Sequence, residues 1–220
     1  MRAIVLHSFT GGVGRSTTAV ALTLVASRDH SCVVMSGSDD LATIAGIPDQ
    51  TLGDPPFVNI TDDSAQLANT LHTEDYLRLP DETLHVWDGI MPQGLLDALP
   101  LEIPPINVLC MQSSYLSFKN THRAILRFGL EFEWAIVRTH EGDALTVRDC
   151  ARVVSMPEDR VISIPTDASI ARAADAGLLA TRLPRVLTVA LMPLVDDAMR
   201  PIRPGAPHLT VVPRPSADPE

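Results

Sequence analysis

Residues 10–18 read Thr10-Gly11-Gly12-Val13-Gly14-Arg15-Ser16-Thr17-Thr18. They follow the apolar run Ala3–Phe9, which reads as a strand, and lead into Ser16–Ser27, which reads as a helix. Glycines at this spacing let the backbone fold tightly with its N–H groups turned inward, and the helix behind adds its positive end. That combination suits a phosphate. Ser16 is placed to offer a hydroxyl to Mg²⁺, and Thr17 to hydrogen-bond a phosphate oxygen. A plain glycine turn from strand to helix explains the glycines. It does not explain the cation and the two hydroxyls beside them.

Outward from this loop, short apolar runs alternate with helical patterns. Further strands are read at Cys32–Met35, Phe57–Ile60, Leu84–Trp87 with Asp88 at its end, Asn107–Met111, Phe132–Val137 and Val161–Ile164. Helices are read at Ser64–Leu71, Tyr115–Phe128, Leu145–Val154 and Ala168–Ala176, and a last one over Leu178–Met199, broken by Pro184 and Pro193. Several strands are apolar at nearly every position (Ile4, Val5, Leu6; Val33, Val34, Met35), as strands buried on both faces are. The alternation predicts an α/β fold with a mostly parallel central sheet and helices on both faces. In such sheets ligands bind beyond the carboxyl ends of the strands, so chemistry is expected in the loops after Phe9, Met35, Trp87, Met111, Val137 and Ile164. Six of the last twenty residues are proline, which predicts an extended tail. Residues 1–199 are therefore read as one domain and 200–220 as a Pro-rich tail.

Composition narrows the function. The net charge of −10 argues against coating DNA or an anionic membrane by bulk charge, though a local basic patch stays open. Aromatics at 4% are too few for a base-stacking platform. Cys32, Cys110 and Cys150 are widely spaced and lie in apolar stretches, so they are read as core residues rather than disulfide or zinc ligands. No apolar run is long enough to span a membrane, and the expected location is the cytoplasm.

The loop departs from the common G-x-x-x-x-G-K-[ST] form, with Phe9 at the first glycine position and Arg15 at the lysine position. On Gly11, Gly12, Gly14, Ser16 and Thr17 it resembles the deviant Walker A ATPases of the ParA/MinD family, whose loop reads K-G-G-x-G-K-[ST]-T. The similarity covers about residues 2–185. It implies a three-layer P-loop NTPase fold with ATP and Mg²⁺ as cofactors. The implied function is a nucleotide switch in chromosome or plasmid partitioning or in positioning cell division.

Site residues carry over position by position. The resemblance puts Gly11, Gly12, Val13, Gly14, Arg15, Ser16 and Thr17 on the nucleotide, and Ser16 with Asp88 on the metal. Arg138, Pro165 and Asp167 fall where the family approaches the base. Leu84–Asp88 looks like the Walker B strand with its switch aspartate, and Pro92-Gln93-Gly94 follows as a switch segment. Arg15 and Asp88 are the implied catalytic residues, together with Asp39 and Asp40. The last two stand just beyond Ser36-Gly37-Ser38, which occupies the family's Asp-x-Asp places. Either the acids have slipped in register or the catalytic carboxylate is lost; both also suit a helix cap.

Both lysines of the family loop are replaced. Arg15 keeps the charge on a longer, planar group. Thr10 has none, so the family's contact across a nucleotide-sandwiched dimer cannot be made by it. A nucleotide-dependent homodimer, a protein partner, and non-specific DNA held by Lys119, Arg123 and Arg127 are the implied partners. Those three residues lie at i, i+4, i+8 on one helix stripe, a spacing an ordinary solvated face also gives. The four substitutions at Thr10, Arg15, Ser36 and Ser38 equally suit a degenerate P-loop scaffold or regulatory protein that does not hydrolyse ATP. A small-molecule kinase or ligase of the same broad fold is a third reading.

Overall fold

The computed structural model describes residues 2–36, 40–47, 57–61, 64–68, 82–89 and 104–200. Asp39, Ser38, Pro92–Gly94 and the tail from Pro201 lie outside them.

In chain order the strands are β1 (Arg2–His7), β2 (Cys32–Ser36), β3 (Phe57–Asn59), β4 (Ala65–Ala68), β5 (Leu84–Asp88), β6 (Ile106–Gln112), β7 (Trp134–Thr139) and β8 (Val161–Pro165). The helices are α1 (Arg15–Ala26), α2 (Asp40–Ala45), α3 (Tyr115–Phe128), α4 (Val147–Val153), α5 (Ala168–Asp175) and α6 (Arg185–Met199). The strands form one sheet in the order β3-β4-β2-β5-β1-β6-β7-β8. Every pairing is parallel except β3 with β4.

Alternation along the strands sorts side chains to two faces. Ile4, Leu6, Val34, Val108, Cys110 and Ile136 join the apolar cluster under α1 and α6. Leu109, Met111, Ala135 and Val137 join the opposite cluster, with Phe118 of α3 and Cys150 of α4. The result is three layers, as the alternation of runs predicts. Helix α1 is buried at every position from Thr18 to Ala26, because it is covered by the sheet on one side and α6 on the other. A helix apolar all round belongs in such a place. Leu22, Leu187 and Leu191 are fully buried on this seam and each contributes about 2 kcal/mol.

Residues Ala65–Ala68, read as part of a helix over Ser64–Leu71, form β4, paired with Cys32–Val34 on one side and Phe57–Asn59 on the other. Helix propensity in a stretch this short is overridden by the two neighbouring strands that bond to it. Pro193 does not break the last helix: α6 begins directly after Pro184 and runs through Pro193 to Met199. Pro193 is exposed, and Val189, whose carbonyl loses its intrahelical partner, is 63% exposed, so that carbonyl lies on the solvent side, where an unpaired acceptor costs little.

Candidate functional site

The sheet register brings the site together. Asp88 closes β5 opposite Leu6 of β1 on one side and Ser36 of β2 on the other. The 8–14 loop leaves the end of β1 beside these residues, and the Gly89 amide donates to the Leu6 carbonyl at 3.0 Å. Gly12 and Gly14 take φ of +73° and +80°, a backbone that residues with a Cβ rarely adopt. Gly14 is the N-cap of α1 and provides no side-chain cap, so the first amides of the helix stay open to a ligand. Thr18 turns its hydroxyl back to the Gly14 carbonyl at 2.8 Å and fixes the first turn.

Two cavities meet at this loop. One, of about 610 Å³, is lined by residues 8–17 and Ile44. The other, of about 300 Å³, is walled by Ile136, Ile164, Pro165, Ile170 and Ala174 among others. Val13, Gly14 and Thr17 line both. The first has a floor of backbone amides and suits a polyphosphate. The second is a largely apolar slot and suits a flat ring.

Arg15 reaches from the start of α1 to Asp88, and its Nε donates to Asp88 Oδ1. Its Nη1 donates to Ser8 Oγ at 3.2 Å. The other Asp88 oxygen accepts from Ser36 Oγ at 3.4 Å. Asp88 has a fully buried side chain and lines neither cavity, whereas Arg15 lines the larger one. Ser16 also opens on the larger cavity, and its hydroxyl has no hydrogen-bond partner among the described residues. The two residues that the resemblance gives to Mg²⁺ are thus not on one surface. A carboxylate whose oxygens are both engaged, behind a guanidinium, does not fit the donor set of such an ion.

Gly11, Gly12 and Val13 line the larger cavity. Arg138, Pro165 and Asp167 line the slot. Arg138 also anchors the loop: Nη1 donates to the Gly12 carbonyl at 3.1 Å and Nε to Thr166 Oγ1 at 3.3 Å. Asp167 caps α5 by accepting from the Ser169 amide at 2.6 Å. Hydrogen bonds from Ser169 hold its carboxyl below the usual carboxylate range. Asp40 stands exposed in the first turn of α2 and lines neither cavity. The Thr10 hydroxyl is buried without a hydrogen-bond partner among the described residues.

Ser8, Thr166 and Ile44 belong to the site and were not singled out from sequence. Thr166 sits between Pro165 and Asp167, which were, and Ser8 lies at the strand end that leads into the loop; those positions are the signal that could have found them. Lys119, Arg123 and Arg127 are exposed on α3, away from both cavities, and make no ion pair among the described residues. Arg148 pairs with Glu158 at 2.7 Å and Arg152 with Asp149 at 3.8 Å, so the neighbouring helix carries no free basic stripe. Burial pushes the thiols of Cys32, Cys110 and Cys150 up to about 12, which suits core residues rather than nucleophiles. Among the described residues no helix is long and apolar enough to cross a membrane, and no cluster of His, Cys, Asp or Glu could hold a metal ion.

No family model and no curated protein matches the sequence. Solved structures do match the fold. The septum site-determining protein MinD of Pyrococcus horikoshii, complexed with Mg-ADP, is 14% identical with a TM-score of 0.64, covering 89% of this chain and 95% of that one. The cell division ATPase MinD of Pyrococcus furiosus is 16% identical with a TM-score of 0.65, covering 89% and 97%. A Cyanothece McdA variant in complex with ATP is 14% identical with a TM-score of 0.59, covering 92% and 99%. The chain therefore has the three-layer P-loop NTPase fold that these MinD and McdA proteins share.

Proposed function

We propose that the protein binds ATP at the 8–17 loop and works as a slow nucleotide switch of MinD/ParA type, in partitioning DNA or positioning cell-division components. The observation that carries this reading is the pair of adjoining cavities that meet at Val13, Gly14 and Thr17. A triphosphate lies over the open amides of the loop and of α1, and the adenine enters the slot between β7, β8 and α5. Arg15, Ser16 and Thr17 supply a cation and two hydroxyls at the phosphates, and Arg138 holds the loop from the side of the base.

Slow turnover follows from Asp88. Its carboxylate is tied to Arg15 and Ser36, so it is not free to order an attacking water or accept a proton. The same contacts favour a second reading, a P-loop scaffold or regulatory protein that binds ATP and does not hydrolyse it. Single-turnover assays with labelled ATP separate the two: phosphate release above the protein-free blank supports the switch, and none in the presence of bound ATP supports the scaffold.

Calorimetric titration with ATP, ADP and GTP tests the binding itself. Gly11→Glu is the matching variant. A Cβ on Gly11 meets nothing within 4 Å, so the fold tolerates it, and a carboxylate is added to the rim of the cavity. ATP affinity is expected to fall by about tenfold or more. Unchanged affinity in Gly11→Glu would remove the ligand from this loop.

A further inference from the structure

Asp88 is sealed from the larger cavity by Arg15. The carboxylate side chain is fully buried, while that of Arg15 is 30% exposed and lines the cavity. A divalent ion at the end of such a strand works by sitting between the carboxylate, through its water, and the phosphate oxygens. Here Oδ1 is taken by Arg15 Nε, and Oδ2 faces the Ser36 hydroxyl at 3.4 Å. The guanidinium occupies the approach to the carboxylate. It is held there from three sides. Asp88 takes Nε, Ser8 Oγ takes Nη1 at 3.2 Å, and Nη2 lies against Gly89, 3.5 Å from where a Cβ on that glycine would sit.

Those contacts use two of the five N–H groups of a guanidinium. The remaining ones belong to a side chain that borders the cavity where the loop amides converge. A cation fixed between a buried carboxylate and a polyphosphate neutralises and bridges the two anions, which is the part a hydrated divalent ion plays in binding. A guanidinium does so with two planar edges, one for each anion. An ammonium is a single point charge on a shorter stem and cannot span both.

We propose that Arg15, bridging Asp88 and the phosphates, replaces the divalent cation, so that the protein binds its nucleotide without Mg²⁺. This rests on the reading that the loop binds a nucleotide. It separates the chain from a P-loop protein that takes up a metal–nucleotide complex, and it gives the arginine at the lysine position a purpose of its own.

The test is calorimetric titration of the full chain with ATP in excess Mg²⁺ and again in EDTA. The expected result is a dissociation constant in EDTA that is equal to or lower than the one in Mg²⁺, or higher by less than about threefold. Binding that is tighter in Mg²⁺ by about threefold or more overturns the replacement and leaves the nucleotide reading standing. Absence of binding in both buffers overturns the nucleotide reading, and the replacement with it. Arg15→Lys gives an independent arm. It vacates the approach to Asp88 Oδ1, so ATP binding is expected to become Mg²⁺-dependent by about tenfold. Metal-independent binding by Arg15→Lys would overturn the role given to the guanidinium. Should that variant fail to fold, the two wild-type titrations decide alone.

Discussion

Arg138, at the end of β7, donates from Nη1 to the carbonyl oxygen of Gly12 at 3.1 Å, across 126 residues of chain. Its Nε donates to Thr166 at 3.3 Å, so one side chain ties the 8–14 loop to the turn between β8 and α5. It lines the slot and holds Gly12 of the larger cavity. Arg138→Met keeps the apolar stem and removes both bonds. Hydrogen bonds to a charged group at an exposed position are worth little more than 1 kcal/mol together, so ATP affinity is expected to fall by roughly three- to tenfold. Amide exchange at residues 11–14 should quicken in parallel. Neither change would mean that the loop holds its shape without this contact.

Gly46 and Gly177 meet backbone to backbone. A Cβ built on Gly46 would lie 2.0 Å from the Gly177 carbonyl oxygen, and one on Gly177 would lie 2.8 Å from the Thr43 carbonyl oxygen. This contact seats the end of α2 against the end of α5. Neither backbone can yield without moving a helix, so Gly46→Ala is expected to cost about 3 kcal/mol in urea unfolding. Because Ile44 lines the larger cavity, ATP affinity should weaken as well. A variant within about 0.5 kcal/mol of wild type would show that α2 shifts freely.

The features that could be read from sequence are those set by local chemistry. The loop at residues 10–18 is legible because glycines, cation and hydroxyls lie within nine consecutive residues. Helix α3 is bounded as its residues predict because both of its ends are written beside it. Ser114 accepts from the Ser117 amide at the start, and Gly129 takes φ +62° at the end. Strand β4 is not legible, since four residues are too few for periodicity and its state comes from β2 and β3. In the site, Arg15 and Asp88 could be named from sequence, but their pairing could not. The two residues are 73 positions apart, and only the register of β1 with β5 brings them together. Seen alone, each belongs to a ligand or a metal; seen together, each first satisfies the other.

Asp197, in the last turn of α6, accepts from Trp134 Nε1 at 2.9 Å and from Arg160, with Arg200 at 3.5 Å on its other oxygen. The Arg160 guanidinium also lies 4.8 Å above the Trp134 ring. The cluster pins the end of α6 to the sheet edge. Asp197→Ala leaves the indole N–H and a half-buried arginine without their acceptor, and is expected to cost about 2 kcal/mol. Asp197→Asn keeps an acceptor oxygen for one of them and should cost about half as much. Thermal unfolding of the two variants checks the order. Equal midpoints for both and for wild type would reduce the cluster to a surface contact.

His85 is the second residue of β5, opposite Ala3 of β1 and Val33 of β2, with no exposed surface and, among the described residues, no hydrogen-bond partner on either ring nitrogen. Burial pushes its pKa down to about 4 from 6.5. The folded chain therefore takes up this proton only near pH 4, whereas the unfolded chain takes it up near pH 6.5. Between those values the unfolded state binds more protons, so stability falls as the pH is lowered through the window, by about 3 kcal/mol in all from this residue. His85→Leu removes both the titration and two unsatisfied polar atoms from the interior. It is expected to match or exceed wild-type stability at pH 7, and to lose less than wild type when urea unfolding is repeated at pH 5 and pH 4. Carboxylates elsewhere titrate equally in both proteins, so the difference between the two curves isolates the imidazole. Parallel curves from pH 7 to pH 4 would mean that His85 finds a proton acceptor in the folded chain and is not buried neutral.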